Sequence, residues 1–127
     1  MTGRTIAVVA GAVVLGAIAV GRIAATYSVY SNTFDEPDHI AAGMEWWERG
    51  MITFDPMHPP LGRAAVALGP YVAGVRIRQA ATPGRAANAV LYDRGKYVED
   101  LTLARIGILP FFLAAVAAVW VWARRLA

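Results

Sequence analysis

The chain has 127 residues, 57% of them hydrophobic and only 17% charged, with a mean hydropathy of +0.46. Soluble domains are about 45–50% apolar and roughly a quarter charged, so this excess excludes an ordinary soluble globule, and intrinsic disorder with it. The net charge of +3 comes from dispersed residues, 11 Arg and 1 Lys with no basic block, which excludes a nucleic-acid footprint; with no cysteine, disulfides, thiolate metal sites and Cys nucleophiles are excluded too.

The first element is an apolar run. Thr5 to Gly21 is 17 residues without a charge, bounded by Arg4 and Arg22. As a helix it is about 26 Å long, close to the ~30 Å hydrocarbon thickness of a bilayer. Gly11, Gly16 and Gly21 are small residues of the kind that permit close helix packing in membranes. Tyr27 and Tyr30 read as an interfacial aromatic belt. Residues 1–27 are therefore expected to form a first transmembrane helix. A cleavable signal peptide competes, with Arg4 as its basic start, Ile6 to Leu15 as its apolar stretch and Ala17-Ile18-Ala19 as its cleavage site. The continuation of the run to Tyr27 and Tyr30 favours an uncleaved span.

Residues 28–100 are expected to form a long loop carrying amphipathic helices at the membrane surface. Pro37 to Arg49 reads as a helix, with Asp35 as its cap and Asp38 in its first turn. Ile40, Gly43, Met44 and Trp47 share one apolar face, while Asp38, Glu45 and Arg49 face elsewhere. Trp46 and Trp47 suit a helix lying in the membrane interface, and Gly50 a helix stop. Phe54 to Pro60 is too Pro-rich for a helix. Ala64 to Val75 is a third uncharged run of 12 residues, interrupted by Gly69-Pro70. It spans only about 18 Å as a helix, so it is expected to lie along or dip into the interface. Residues 82–100, with Thr82-Pro83-Gly84 and Asp93-Arg94-Gly95, read as polar loop around a short helix.

Residues 101–127 are expected to form the second transmembrane helix and a basic tail. Ile106 to Ala123 is 18 residues without a charge. Pro110 sits one turn in, Trp120 and Trp122 mark the interface, and Arg124-Arg125 close it. Both short tails are basic, so both termini are expected in the cytoplasm and the loop outside. The Arg, Ala and Gly bias fits a GC-rich bacterial genome, which places the expected address in a bacterial inner membrane.

Two constellations carry chemistry. Asp35, Glu36, Asp38 and His39 stand just after the first span. One carboxylate there suits a general base, and a second suits an acceptor-orienting or metal-binding group. Asp35 and His39, four apart, fall on one helical face at a spacing a metal can use. Against this, Asp before a Pro-started helix is ordinarily a cap. The second constellation is Asp55 with His58-Pro59-Pro60-Leu61-Gly62-Arg63. The prolines hold His58 and Arg63 in place, and Arg63 is suited to a bidentate phosphate contact. The competing reading is a rigid turn with a solvated Arg.

Phe34-Asp35-Glu36 after a first span, then His39, Trp46-Trp47-Glu48-Arg49-Gly50, and His58-Pro59-Pro60-Leu61-Gly62-Arg63 resemble the first external loop of membrane glycosyltransferases of the C-type fold. Protein O-mannosyltransferases and lipid-carrier-dependent sugar and aminoarabinose transferases are the nearest likeness. Leu103-Ala104-Arg105-Ile106 is similar to the Arg-bearing start of that family's second span. The resemblance covers about residues 5–126 and corresponds to the N-terminal portion of those many-spanned enzymes. It implies a polyprenyl-phosphate sugar donor, an acceptor protein, lipid or glycan, and inverting transfer on the external face. It implies Asp35 as the catalytic base, and Glu36 as its neighbour in acceptor or metal binding. His39 joins Glu36 if a divalent metal is held. His58, Arg63 and Arg105 would lie on the carrier-phosphate side. The alternative is a small two-span membrane subunit without catalytic activity.

Overall fold

The computed structural model describes residues 3–78 and 83–126, and every regular element in them is a helix. The chain divides into two compact units, one built from its two ends, up to Thr26 and from Leu109, the other from Tyr27–Ile108.

The first unit consists of α1 (Gly3–Ala24) and α6 (Leu109–Leu126). Both belong to stretches long and apolar enough to cross a membrane, Thr5–Ala24 and Tyr97–Leu126. Val13, Leu15, Val119 and Trp122 remain exposed on these helices. An apolar surface of this extent calls for lipid or protein against it. Past α1 the chain turns, with the Thr26 Oγ1 donating to the Ile23 carbonyl at 2.7 Å.

The second unit is a ring of four helices. They are α2 (Glu36–Arg49), α3 (Pro60–Val72), α4 (Pro83–Tyr92) and α5 (Tyr97–Ile106). Helix α2 packs on α3 and α4, and α5 packs on the same two. Ile40, Met44, Ala67, Val90, Leu91, Leu101 and Ala104 fill the core.

Several local expectations are met and several are corrected. Helix α2 ends at Gly50, whose φ of 70° and bond to the Trp46 carbonyl make a left-handed cap. Ile40, Gly43 and Met44 are buried as their spacing requires. Glu45, expected to face elsewhere, is buried with them: its carboxylate accepts from the Thr53 N–H (2.6 Å), the Thr53 hydroxyl (2.5 Å) and the Phe54 N–H (2.9 Å). Residues 54–59 are non-helical as expected, and α3 begins at Pro60, because a missing N–H is harmless in the first turn. Gly69-Pro70 does not break α3, which runs on to Val72. Helix α3 is a packed helix between α2 and α5, with Ala67 and Pro70 buried.

Thr82 lies outside the described residues. The stretch after it, read mainly as polar loop, is largely helical, as α4 and the start of α5. The second apolar stretch begins at Tyr97 instead of Leu101, and Gly107 and Ile108 form a turn before α6. Of the two tyrosines assigned to the interfacial belt, Tyr30 is exposed but Tyr27 is buried.

Candidate functional site

Close approach of α2 and α3 builds the site. A Cβ at Gly43 would overlap the Arg63 carbonyl and the Ala67 side chain, so only glycine admits this contact. His39, one turn before Gly43 on the same face, is thereby brought against the Arg63 side chain. The other wall is the turn before α3. Glu45 holds the N–H groups of Thr53 and Phe54, and the next residue, Asp55, takes a φ of 49°. A non-glycine residue in the left-handed region is uncommon and persists only where its surroundings enforce it.

Arg63 is the hub. It is 3% exposed. Its Nε donates to His39 Nδ1 at 3.2 Å and its Nη2 to Asp55 Oδ2 at 2.5 Å, while its Nη1 donates to the Asp55 carbonyl. The Nη2 also lies 2.9 Å from His58 Nδ1, which is itself 3.1 Å from Asp55 Oδ2. The rings of His39 and His58 meet edge to face at 5.2 Å. Since His39 Nδ1 accepts from Arg63, the ring proton of neutral His39 sits on Nε2, which faces Asp35 Oδ2 at 3.5 Å. Asp35, His39, Arg63, Asp55 and His58 thus form one connected network.

Asp35 stands at the cap position of α2, yet its side chain makes no capping hydrogen bond. It accepts from the Thr33 hydroxyl at 3.1 Å, and its side chain is 65% exposed. A hydrogen bond from its own backbone N–H, aided by Thr33 and His39, holds its carboxyl below the usual range. For Asp55, partial burial pushes the carboxyl up, but the Arg63 guanidinium outweighs this and holds it down. Both are ionised at neutral pH. Beside the network lies a mainly apolar cleft of about 340 Å³, lined by His39, His58, Pro59, Gly62, Arg63, Val66 and Ile108.

The other sequence candidates are placed elsewhere. Glu36 turns to Arg105, which reaches its Oε1 from Nε at 2.9 Å and its Oε2 from Nη2 at 3.0 Å. The remaining donors of Arg105 go to the carbonyls of Tyr27, Tyr30 and Ser31. All five N–H groups of the guanidinium are therefore used. Glu36 Oε2 also accepts from the Thr33 N–H at 3.0 Å. This clamp closes the turn between residues 27 and 36, and Arg105 does not line the cleft. Glu36 and His39, paired in the sequence analysis as metal ligands, each carry an arginine partner instead, Arg105 on Glu36 and Arg63 on His39. Among the described residues no group of three or more His, Asp or Glu side chains has metal-holding geometry.

One contributor has no signal in the sequence, and another has only part of one. Asp55 belongs to the second constellation, but its left-handed backbone has no sequence signal of the glycine kind. Glu45 reads as a polar-face residue, and only the bound turn makes it interior. No family model matches the chain, and neither a curated protein nor a solved structure matches it.

Proposed function

We propose that this chain is a membrane glycosyltransferase, or the N-terminal part of one, that moves a sugar from a polyprenyl-phosphate carrier to an acceptor, with Asp35 as general base. The observation that carries the reading is the state of Asp35. It occupies a cap position without capping, and its carboxylate is exposed, ionised and oriented by Thr33 and His39. A carboxylate needed only for the helix end would bond the helix N–H groups instead.

In the proposed reaction the acceptor hydroxyl gives its proton to Asp35. Its oxygen forms a bond to the anomeric carbon from the face opposite the carrier. The bond from that carbon to the phosphate oxygen breaks, its electron pair leaves with the polyprenyl phosphate, and configuration inverts. His39 keeps the Asp35 carboxylate aligned. His58, 56% exposed at the cleft, is the group that meets the carrier phosphate, where a donor stabilises the leaving charge. Arg63, buried and engaged by Asp55, is a positioning residue that fixes both imidazoles. Glu36 and Arg105 shape the acceptor side by holding the 27–36 turn. The resemblance of the Phe34-Asp35-Glu36 and His58-to-Arg63 segments to lipid-carrier transferases supports the same assignment. With it come a bacterial inner-membrane address, residues 28–100 outside and both ends in the cytoplasm.

The test substitutes Asp35→Asn in the native membrane, where any further membrane helices the site requires are present. Transfer of tritiated mannose from mannosyl polyprenyl phosphate is measured. Asn keeps the shape but cannot take a proton, so transfer should fall at least ~10²-fold at unchanged protein level. Near-normal transfer would remove Asp35 from the chemistry and favour the non-catalytic subunit.

A further inference from the structure

The unit formed by α1 and α6 contains an open groove that the proposed transfer does not use. It has a volume of about 680 Å³ and is lined by apolar and small residues, among them Val9, Gly16, Gly21, Leu113, Ala117 and Trp120. The gap is real space: a Cβ built on Gly16 or Gly21 meets nothing within 4 Å. A smaller cavity of about 170 Å³ shares Val9 and Trp120 with it and adds Thr5, Val8 and Arg124. The two helices are antiparallel, since the start of α1 and the finish of α6 line this same end. The apolar groove therefore runs into a cationic mouth. Arg124 makes no ion pair among the described residues, and it is one turn beyond Trp120.

The dimensions select the occupant. From Val9 to Gly21 the groove follows α1 for about 18 Å. That is close to one leaflet, half of the ~30 Å hydrocarbon core, and well short of what a second spanning helix would cover. Tryptophan at the mouth is the residue type that sits at headgroup depth, and an arginine one turn further out meets a phosphate there. An acyl chain fills the apolar part without bringing any polar group into it, and a non-helical peptide there would leave backbone groups unsatisfied. We infer that α1 and α6 bind one anionic phospholipid, its acyl chain in the groove from Val9 to Gly21 and its phosphate at Arg124.

The full chain, purified in a mild detergent, is titrated with phosphatidylglycerol and with phosphatidylcholine, and bound lipid is counted by native mass spectrometry. One basic residue at the headgroup corresponds to about fivefold preference for the anionic lipid. Arg124→Gln should remove that preference, Arg124→Lys should keep most of it, and Arg125→Gln, outside the mouth, should leave it. Gly16→Leu fills the groove and should lower retention of both lipids. Ala117→Leu does the same from α6 and guards against one variant misfolding, with helicity checked by circular dichroism. Millimolar inorganic phosphate should not displace the lipid. Equal retention of the two lipids, persistence of the preference in Arg124→Gln, or unchanged retention in both groove-filling variants would overturn the inference. So would displacement of the lipid by free phosphate. A lipid-free dimer broken by Gly16→Leu would assign the groove to a second copy instead.

Discussion

Asp35 and Glu36 are adjacent acids at the start of one helix, and they end in opposite circumstances. Glu36 is held by both arms of the Arg105 fork, and the two side chains are 21% and 16% exposed. Asp35 keeps a carboxylate 65% exposed, touched by a hydroxyl and facing an imidazole. Successive residues on a helix point about 100° apart, so one faces the turn that Arg105 closes and the other faces the histidine network. The first has spent its hydrogen-bonding capacity on structure. The second retains the capacity to accept a proton. A carboxylate's residue type is therefore a weaker guide to its role than the number of donors already committed to it.

The largest expected effect comes from breaking the structural half of this comparison. Arg105→Ala leaves Glu36 without its cation and the carbonyls of Tyr27, Tyr30 and Ser31 without a donor. Losing one partner of a largely buried pair typically destabilises by about 3–5 kcal/mol. Thermal unfolding followed by circular dichroism in nanodiscs checks this. A change under about 1 kcal/mol would mean that Arg105 is free for a ligand after all. Asp35→Asn should behave oppositely, with stability within about 0.5 kcal/mol of the parent, as for exposed sites generally. A large loss of stability there would return Asp35 to a structural role.

Glu45 gives an intermediate case, a buried carboxylate with one arginine nitrogen beside it, Arg49 Nη1 at 3.6 Å, and no fork. Burial pushes its carboxyl up, but the hydrogen bonds from Thr53 and Phe54 outweigh it and hold it below its ordinary value of 4.5. Glu45→Gln turns a donor toward these donors and should destabilise by about 1–3 kcal/mol at pH 7. The sign of the pH effect follows from the direction of the shift. A carboxyl depressed by folding stabilises fully above its unfolded value, and that stabilisation is lost as pH falls through the folded value. The gap between parent and Glu45→Gln should therefore be complete near neutrality and shrink below about pH 4.5. A gap independent of pH would show that geometry, not charge, holds the 53–55 turn.

A smaller loss than at Glu45 is expected at Trp47, whose indole N–H donates to the Ala64 carbonyl at 2.8 Å while its ring stacks on Tyr71. Trp47→Phe keeps an aromatic ring and removes the donor, so about 1 kcal/mol should be lost. No measurable loss would indicate that water replaces the donor at this exposed edge.

Topology can be tested independently of chemistry. Met57 is 85% exposed, and a single Met57→Cys should react with an impermeant thiol reagent in intact cells. Labelling only after lysis would reverse the proposed orientation.

Much of the architecture was legible from composition and period. Two uncharged runs of membrane length, an amphipathic helix closed by Gly50 and two chemically loaded segments need only local rules, because each depends on residues near one another in sequence. The convergence of His39 with His58 and Arg63 follows from neither local rules nor the family likeness, which pairs His39 with Glu36; its geometry rests on Gly43, where a missing side chain admits another helix. What local rules cannot supply is the choice of partner. Nothing near Arg105 indicates that it will reach back to Glu36, nor does the face of α2 announce that Glu45 will bind a turn eight residues on. The prolines keep residues 54–59 out of a helix, but that Pro60 opens one is decided only by the packing of the helix that follows it. Sequence by itself determined where the chain is apolar enough for a membrane and which side chains are candidates for chemistry. Tertiary structure decided which of those side chains are consumed by hydrogen bonds and which stay available, because that depends on donors brought from distant parts of the chain.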